Sequence, residues 1–257
     1  MRVPVTERPE VSPVLIVGVA LLLAFAALIL LRAAPTPAHL ADWLQPVGDN
    51  APYTAPAVAA QAAAPIQARV GLQVGHWERE KLPDELAPLR TEGGASAAGY
   101  QEVDINYAVA QQVATLLRAR GIIVDILPAT IPPGYQADAF IALHCDANND
   151  PGIAGFKLAR FGDSAIPARD DALLNAIVAT YGPATGQRLD SLISRAMIYY
   201  YAFNSRDFAH AIGTQTPGVI VELGFLTSPA DRALLVGQQP TLAKGLADGI
   251  IRFLQAR

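Results

Sequence analysis

Four residues that could carry out hydrolytic chemistry stand at the ends of predicted secondary-structure elements. His76 follows a short apolar run, Glu102 opens a long helical pattern, His144 ends the run ADAFIAL, and Glu222 lies near the end of VIVEL. Two imidazoles and one carboxylate form a common catalytic Zn²⁺ set, because three protein ligands leave a fourth position open for water or substrate. A free carboxylate nearby, Glu222, could take a proton from water and pass it to a leaving nitrogen. This chemistry is amide hydrolysis.

The elements between these residues must bring them together. Apolar runs predict strands at Arg69–Gly75, Ile122–Leu127, Ala139–Leu143, Phe156–Ala159 and Val219–Leu223. Amphipathic patterns predict helices at Glu102–Arg120, about Asp171–Tyr181, Gln187–Tyr200, and after Ser228 to the C-terminus. The alternation predicts one α/β domain with a mostly parallel or mixed central sheet flanked by helices. Such sheets place their functional crevice at the carboxyl ends of the strands, where the four residues could converge.

Composition limits the other kinds of site and partner. The chain has 257 residues, 52% of them hydrophobic, which is enough for one full core after an anchor and a linker are subtracted. A net charge of -4 leaves no broad basic face, so we expect no nucleic-acid partner. Cys145 is the single cysteine, so any metal must use His and carboxylate ligands. Because Cys145 directly follows His144 in a strand, its side chain should point to the opposite face and be buried.

The N-terminal part of the chain predicts a membrane anchor. Val14–Leu31 is an uncharged apolar run long enough to nearly span a bilayer core, so residues 1–32 are predicted to be a transmembrane helix. The alternative is a cleaved signal peptide, and the domain would then be secreted. Residues 33–68 are rich in Ala and Pro and predict a linker, which leaves 69–257 as the catalytic domain. We expect a single-pass protein of the cell membrane with its domain on the extracytoplasmic side.

Four stretches of the chain occur in the order typical of one enzyme family. They read VGHW, YQEVDINYAVAQQV, IALHCDAN and VIVELGFLTSP. In this respect the chain resembles the zinc-dependent N-acetylmuramoyl-L-alanine amidases of the AmiC-like, or amidase 3, type from about Val70 onward. The resemblance implies Zn²⁺ on His76, Glu102 and His144, and Glu222 as the catalytic acid and base. It also implies peptidoglycan as the substrate, cut between the muramoyl lactyl group and L-Ala.

Four features depart from the family pattern. Trp77 follows His76 where the family usually has Gly, and Ser228 stands where Asn is common. The segment Pro128–Ala137 is too short and too rich in Pro for the helix that usually precedes the second His strand. No separate wall-binding repeat is visible, so targeting would depend on the anchor and the cleft. The sequence does not identify a protein activator.

Several further residues could contact a substrate. Arg195 and Arg206 precede the last core strand and could bind a stem-peptide carboxylate through bidentate hydrogen bonds. The aromatic run Tyr199–Tyr201 with Phe203 could form a sugar platform, but its place at the end of an amphipathic pattern favours core packing. His210, in a polar loop, is expected to be solvated.

Two other functions are compatible with the same residues. A zinc carboxypeptidase acting on cell-wall peptides uses the same set of two imidazoles and one carboxylate. A non-catalytic peptidoglycan-binding module would keep the fold without turnover, but the presence of all four chemical residues argues against it.

Overall fold

The computed structural model describes residues 65–256 of the chain. The predicted anchor at 1–32, with its signal-peptide alternative, and nearly all of the predicted linker lie outside the described residues. Within residues 65–256, no helix combines the length and the apolar character that crossing a bilayer requires.

Five strands form one mixed sheet. They are β1 (Arg69–Val74), β4 (Ile123–Leu127), β5 (Ala139–Asp146), β6 (Lys157–Ala159) and β7 (Gly218–Phe225). The spatial order is β4-β1-β5-β7-β6, with the first four strands parallel and β6 antiparallel at one edge. A separate two-stranded hairpin consists of β2 (Ser96–Ala97) and β3 (Tyr100–Gln101). The predicted α/β domain with a mixed central sheet is confirmed.

Helices cover one face of this sheet and irregular segments cover the other. The helices on the first face are α1 (Glu102–Arg118), α2 (Pro167–Thr185), α4 (Pro229–Gly237) and α5 (Gln239–Gln255), whereas the short helix α3 (Arg195–Ile198) lies on the opposite face, where its Met197 is buried. Helix α5 packs against α1 and α2, and their apolar stripes bury the β1 residues Val70, Leu72 and Val74. The opposite face is covered by 3-10 turns at Arg79–Lys81, Asp84–Thr91 and Tyr201–Phe203 and by the loops around them.

The helix predicted at Gln187–Tyr200 is wrong for most of its length, because only α3 is helical there. The N–H of Phe156 donates to the carbonyl of Arg188, and the N–H of Asp190 donates to the carbonyl of Phe156. The segment therefore runs extended beside the start of β6. The apolar residues that suggested a helical stripe do not all face the core, since Leu192 is 77% exposed.

The strand order places a topological switch between β1 and β5. The chain leaves β1 through α1 to reach β4 on one side, and it leaves β5 to reach β7 on the other. The return from β4 to β5 passes through Pro128–Ala137, which contains no helix, as its Pro content predicts. Crevices at such switch points, outside the carboxyl ends of the strands, are the usual ligand sites of α/β sheets.

Candidate active site

The structure brings the three predicted metal ligands together at this switch point. His76 follows β1, Glu102 is the first residue of α1, and His144 lies in the carboxyl half of β5. One ligand atom from each residue lies within 4.8 Å of the others. Glu222, on the neighbouring strand β7, is in register with His144, so the fourth predicted residue lies beside the same group.

Glu102 is the centre of the group and is itself firmly held. Its Oε2 accepts a hydrogen bond from the N–H of Ala95 at 2.6 Å. Its Oε1 accepts from the N–H of Cys145 at 3.1 Å and from the side-chain amide of Asn106 at 3.2 Å. Only 2% of Glu102 is exposed. These donors fix the direction in which the carboxylate faces the two imidazoles.

The charge of Glu102 is maintained by its partners. Burial on its own would raise the pKa of Glu102, but the hydrogen bond and charge of His144 and the charge of His76 lower it to about 2. Burial lowers the pKa of His76, which favours the neutral imidazole that a metal requires. Burial also opposes protonation of His144, but the contact with Glu102 raises the pKa of His144 overall. The group therefore combines one anion with two basic nitrogens.

The distances and outer contacts of the imidazoles fit a tetrahedral metal. His144 Nδ1 lies 2.9 Å and His76 Nε2 lies 3.5 Å from Glu102 Oε1. These two distances lie on either side of the roughly 3.3 Å that separates ligand atoms of tetrahedral zinc. The second nitrogen of each ring also has a partner. His76 Nδ1 lies 3.0 Å from the carbonyl oxygen of Glu92, and His144 Nε2 lies 3.0 Å from the Tyr200 hydroxyl. Such outer contacts orient metal-ligating histidines.

Two glycines leave room for this group. A Cβ atom at Gly75 would lie 2.4 Å from Cε1 of His144, and one at Gly94 would lie 2.6 Å from Oε2 of Glu102. Gly94 also has a φ of 72°, in the left-handed region that favours glycine. His76 itself adopts a φ of 64°, an uncommon conformation that turns its ring toward Glu102. The local backbone is therefore shaped around the three side chains.

Glu222 is half-buried, and one of its two carboxyl oxygens is fully buried without a partner in the described part of the chain. Among the described residues, nothing hydrogen-bonds its buried Oε2 atom. Burial, helped by the charges of Glu102 and Asp146, raises the pKa of Glu222 to about 8, against the opposing effect of His144 and Lys157. A carboxyl group whose pKa lies near neutrality can both accept and deliver a proton, which is the property of a general acid and base.

A cavity of about 450 Å³ opens in front of these residues. Its polar end is formed by His76, His144 and Glu222, and its walls come from the 3-10 turn Asp84–Thr91 and the region around α3. The apolar lining includes Leu82, Leu86, Leu89, Met197, Phe208 and Ile220. The cavity gives a substrate access to the Glu222 carboxyl group and to two of the candidate ligands, His76 and His144.

The two arginines proposed for substrate binding do not line this cavity. Arg195 lies on α3 with its guanidinium 4.9 Å from the ring centroid of Tyr199. Arg206 borders a separate, much smaller cavity, where its guanidinium lies 3.9 Å from Asp163. A role of either arginine toward a stem-peptide carboxylate stays a prediction.

The remaining candidates have clear positions. Cys145 is buried on the helix-covered face, where its Sγ lies 3.4 Å from Oδ1 of Asn106. His210 is not simply solvated, because its Nδ1 lies 2.7 Å from Oε1 of Glu85. For Tyr200 the sequence favoured core packing over a sugar platform, and it missed the contact of the hydroxyl with His144. No spacing rule could have found this contact, since it joins residues 56 positions apart.

Two imidazoles and a carboxylate at the switch point, with a second carboxyl group in the same cleft, define an α/β domain with a candidate metal centre of the hydrolytic type. The family model described as N-acetylmuramoyl-L-alanine amidase matches residues 70–252. The chain belongs to this family of hydrolases. The resemblance found in the four sequence stretches is thereby confirmed.

Several solved structures of amidases have a similar fold. The chain is similar to Ami1 from Mycobacterium smegmatis, with a TM-score of 0.57 and 18% identity over 76% of this chain and 100% of that one. It is also similar to the catalytic domain of CwlV from Bacillus (Paenibacillus) polymyxa var. colistinus, with a TM-score of 0.50 and 20% identity over 74% and 99%. A third is CwlD from Clostridioides difficile, solved in complex with the GerS lipoprotein, with a TM-score of 0.54 and 15% identity over 74% and 100%. At these identities the likeness shows the fold alone. Curated proteins provide no match.

Proposed function

We propose that this protein is a zinc-dependent amidase that hydrolyses the bond between N-acetylmuramic acid and L-alanine in peptidoglycan. The observation that carries the proposal is the convergence of His76, Glu102 and His144 within 4.8 Å, beside Glu222, in a chain of the amidase family. The donor set suits zinc, because it offers two imidazole nitrogens and one carboxylate held in place by outer hydrogen bonds. These three residues would hold the ion.

A zinc ion bound there supplies a Lewis acid that polarises the amide carbonyl and makes water more acidic. Glu222 accepts a proton from the attacking water as the water oxygen bonds to the lactyl carbonyl carbon. It then delivers that proton to the nitrogen of L-Ala as the C–N bond breaks. The products are a muramic acid carboxylate and a peptide with a free L-Ala amino group. Burial raises the pKa of Glu222 to about 8 without metal, and the charge of a bound zinc ion would lower it, which favours the carboxylate that accepts the proton.

Digestion of purified peptidoglycan distinguishes this proposal from its alternatives. With zinc present, the full-length protein should release intact stem peptides that begin with a free L-Ala and leave glycan strands without peptides. Mass spectrometry of the fragments is the measurement, and removal of zinc with a chelator followed by its return is the control. Release of terminal D-amino acids would instead indicate a carboxypeptidase. Binding to peptidoglycan without any product would indicate a non-catalytic module.

We also propose that the enzyme acts in cell-wall remodelling from the outer face of the cytoplasmic membrane. Its substrate lies there, and the uncharged run Val14–Leu31 is long enough to hold the domain at that surface. The protein should sediment with membranes, and added protease should digest the domain in spheroplasts without lysis. Recovery in the culture fluid, with residues before about 39 removed, would instead show that the N-terminal run is a signal peptide. Protection from protease in intact spheroplasts would contradict the orientation.

A further inference from the structure

Tyr200 makes a contact that the proposed reaction does not use. Its hydroxyl lies 3.0 Å from Nε2 of His144, and the two rings meet edge to face with centroids 5.4 Å apart. The Tyr200 ring is held in turn by Tyr201, at 4.6 Å, and by Phe203, at 5.6 Å between centroids. The hydroxyl is therefore presented to His144 by a packed aromatic cluster rather than by a free side chain.

The contact lies on the side of the His144 ring that faces away from the metal ligands. Nδ1 of His144 faces Glu102 Oε1 at 2.9 Å, so Nε2 points out of the group and toward Tyr200. A neutral imidazole that gives its Nδ1 lone pair to a metal must carry its proton on Nε2. The Tyr200 oxygen is placed to accept that proton in a hydrogen bond.

We propose that Tyr200 is a positioning residue that holds His144 in the Nε2-protonated form and aims its Nδ1 at the metal. The proposal rests on the proposed zinc site. Outer partners of this kind fix both the tautomer and the orientation of a metal-ligating histidine. Tyr200 acts through His144 and needs no contact with the substrate for this role.

A hydroxyl is a better partner for His144 Nε2 than a carbonyl would be, because a hydroxyl can both donate and accept a hydrogen bond. Without metal, His144 Nδ1 can donate to Glu102 Oε1, and Nε2 then needs a donor. With metal on Nδ1, the proton resides on Nε2, which then needs an acceptor. A tyrosine hydroxyl can fill both roles by rotating its hydrogen. His76 contrasts with this, because the Glu92 carbonyl at its Nδ1 only accepts, so the neutral His76 ring keeps its Nε2 lone pair free for a metal.

The test is the zinc affinity of Tyr200→Phe in the full-length protein, with Tyr199→Phe as the matched control. Both changes remove one hydroxyl and keep the ring, but Tyr199 is 40% exposed, and its ring lies under the Arg195 guanidinium and meets Phe161 edge to face. Competition with a chromophoric chelator should show zinc binding weakened by roughly 10–100-fold in Tyr200→Phe. The control should match the wild type. An unchanged affinity in Tyr200→Phe, or an equal loss in both variants, would overturn the proposal.

A second test of the role of Tyr200 uses NMR of the histidine rings in the wild-type protein, so it does not depend on the folding of a variant. The chain has four histidines, so ¹⁵N labelling of histidine gives few ring signals. With zinc bound, His144 should show a metal-bound Nδ1 and a protonated Nε2. Zinc on Nε2 of His144 would overturn the role of Tyr200 and leave the proposed function standing. A wild-type protein that takes up no zinc would overturn both.

Discussion

Glu222→Gln should reduce turnover of peptidoglycan by about 10²–10⁴-fold while leaving zinc content unchanged. The amide has nearly the size of the carboxyl group but cannot accept the proton of the attacking water or deliver it to the departing nitrogen. Glu222 is also outside the set of three converging ligand atoms, so its replacement removes no metal ligand. Zinc content and product release measured on one preparation test this expectation. Glu80→Gln, an exposed change outside the cleft, is the control that should retain turnover.

Glu222→Gln should also change how the thermal stability of the protein depends on pH. The pKa of Glu222 is raised by burial from its ordinary value of 4.5 to about 8, so the folded protein favours the protonated group. The stability that the protonated Glu222 side chain contributes is fully present below about pH 4.5 and is lost as the pH rises through about 8. Metal-free Glu222→Gln should therefore melt at a higher temperature than the wild type above neutral pH and close to it near pH 4. Lower melting at every pH, with turnover per folded molecule intact, would make Glu222 a structural residue.

The sequence predicted the parts of the site that depend on strand and helix ends. Buried apolar runs identify β1, β5 and β7, and parallel strands bring their carboxyl ends to one edge, so a convergence of His76, His144 and Glu222 could be expected there. Glu102 was predicted as a candidate ligand from its place at the start of the long helical pattern that forms α1. The N-terminal helix remains a prediction, because it lies outside the described residues.

The sequence failed where tertiary contacts override a local pattern. The apolar spacing in Gln187–Tyr200 suggested a helix, yet the chain there pairs with the start of β6 and leaves Leu192 in solvent. The wrong helix also obscured Tyr200, which looked like the buried end of an amphipathic stripe. The position of the Tyr200 hydroxyl depends on how the 3-10 turn after α3 packs over β5, and neither composition nor periodicity encodes that packing.

Glu102→Gln should have the largest effect on the metal, with zinc binding weakened by more than about 100-fold and turnover reduced to background. Oε1 of Glu102 accepts from the N–H of Cys145 and from Asn106 and also faces both imidazoles. An amide at this position carries no charge, and its NH₂ group would meet donors on whichever side it turned. Zinc titration is the measurement, and Asp104→Asn, an exposed change in the same helical turn, is the control. Full zinc binding by Glu102→Gln would remove Glu102 from the ligand set.

The difference in melting temperature between metal-free Glu102→Gln and the wild type should have the opposite sign and the opposite pH dependence to the difference for Glu222→Gln. Although burial opposes its charge, the contacts of Glu102 with His144 and His76 lower its pKa from the ordinary 4.5 to about 2. The stabilisation from its ionised form is present above about pH 4.5 and is lost as the pH falls through about 2. Glu102→Gln should therefore melt below the wild type at neutral pH, and the gap should narrow between pH 4.5 and 2. A gap that does not narrow in acid would show that the loss comes from packing rather than from the charge of Glu102.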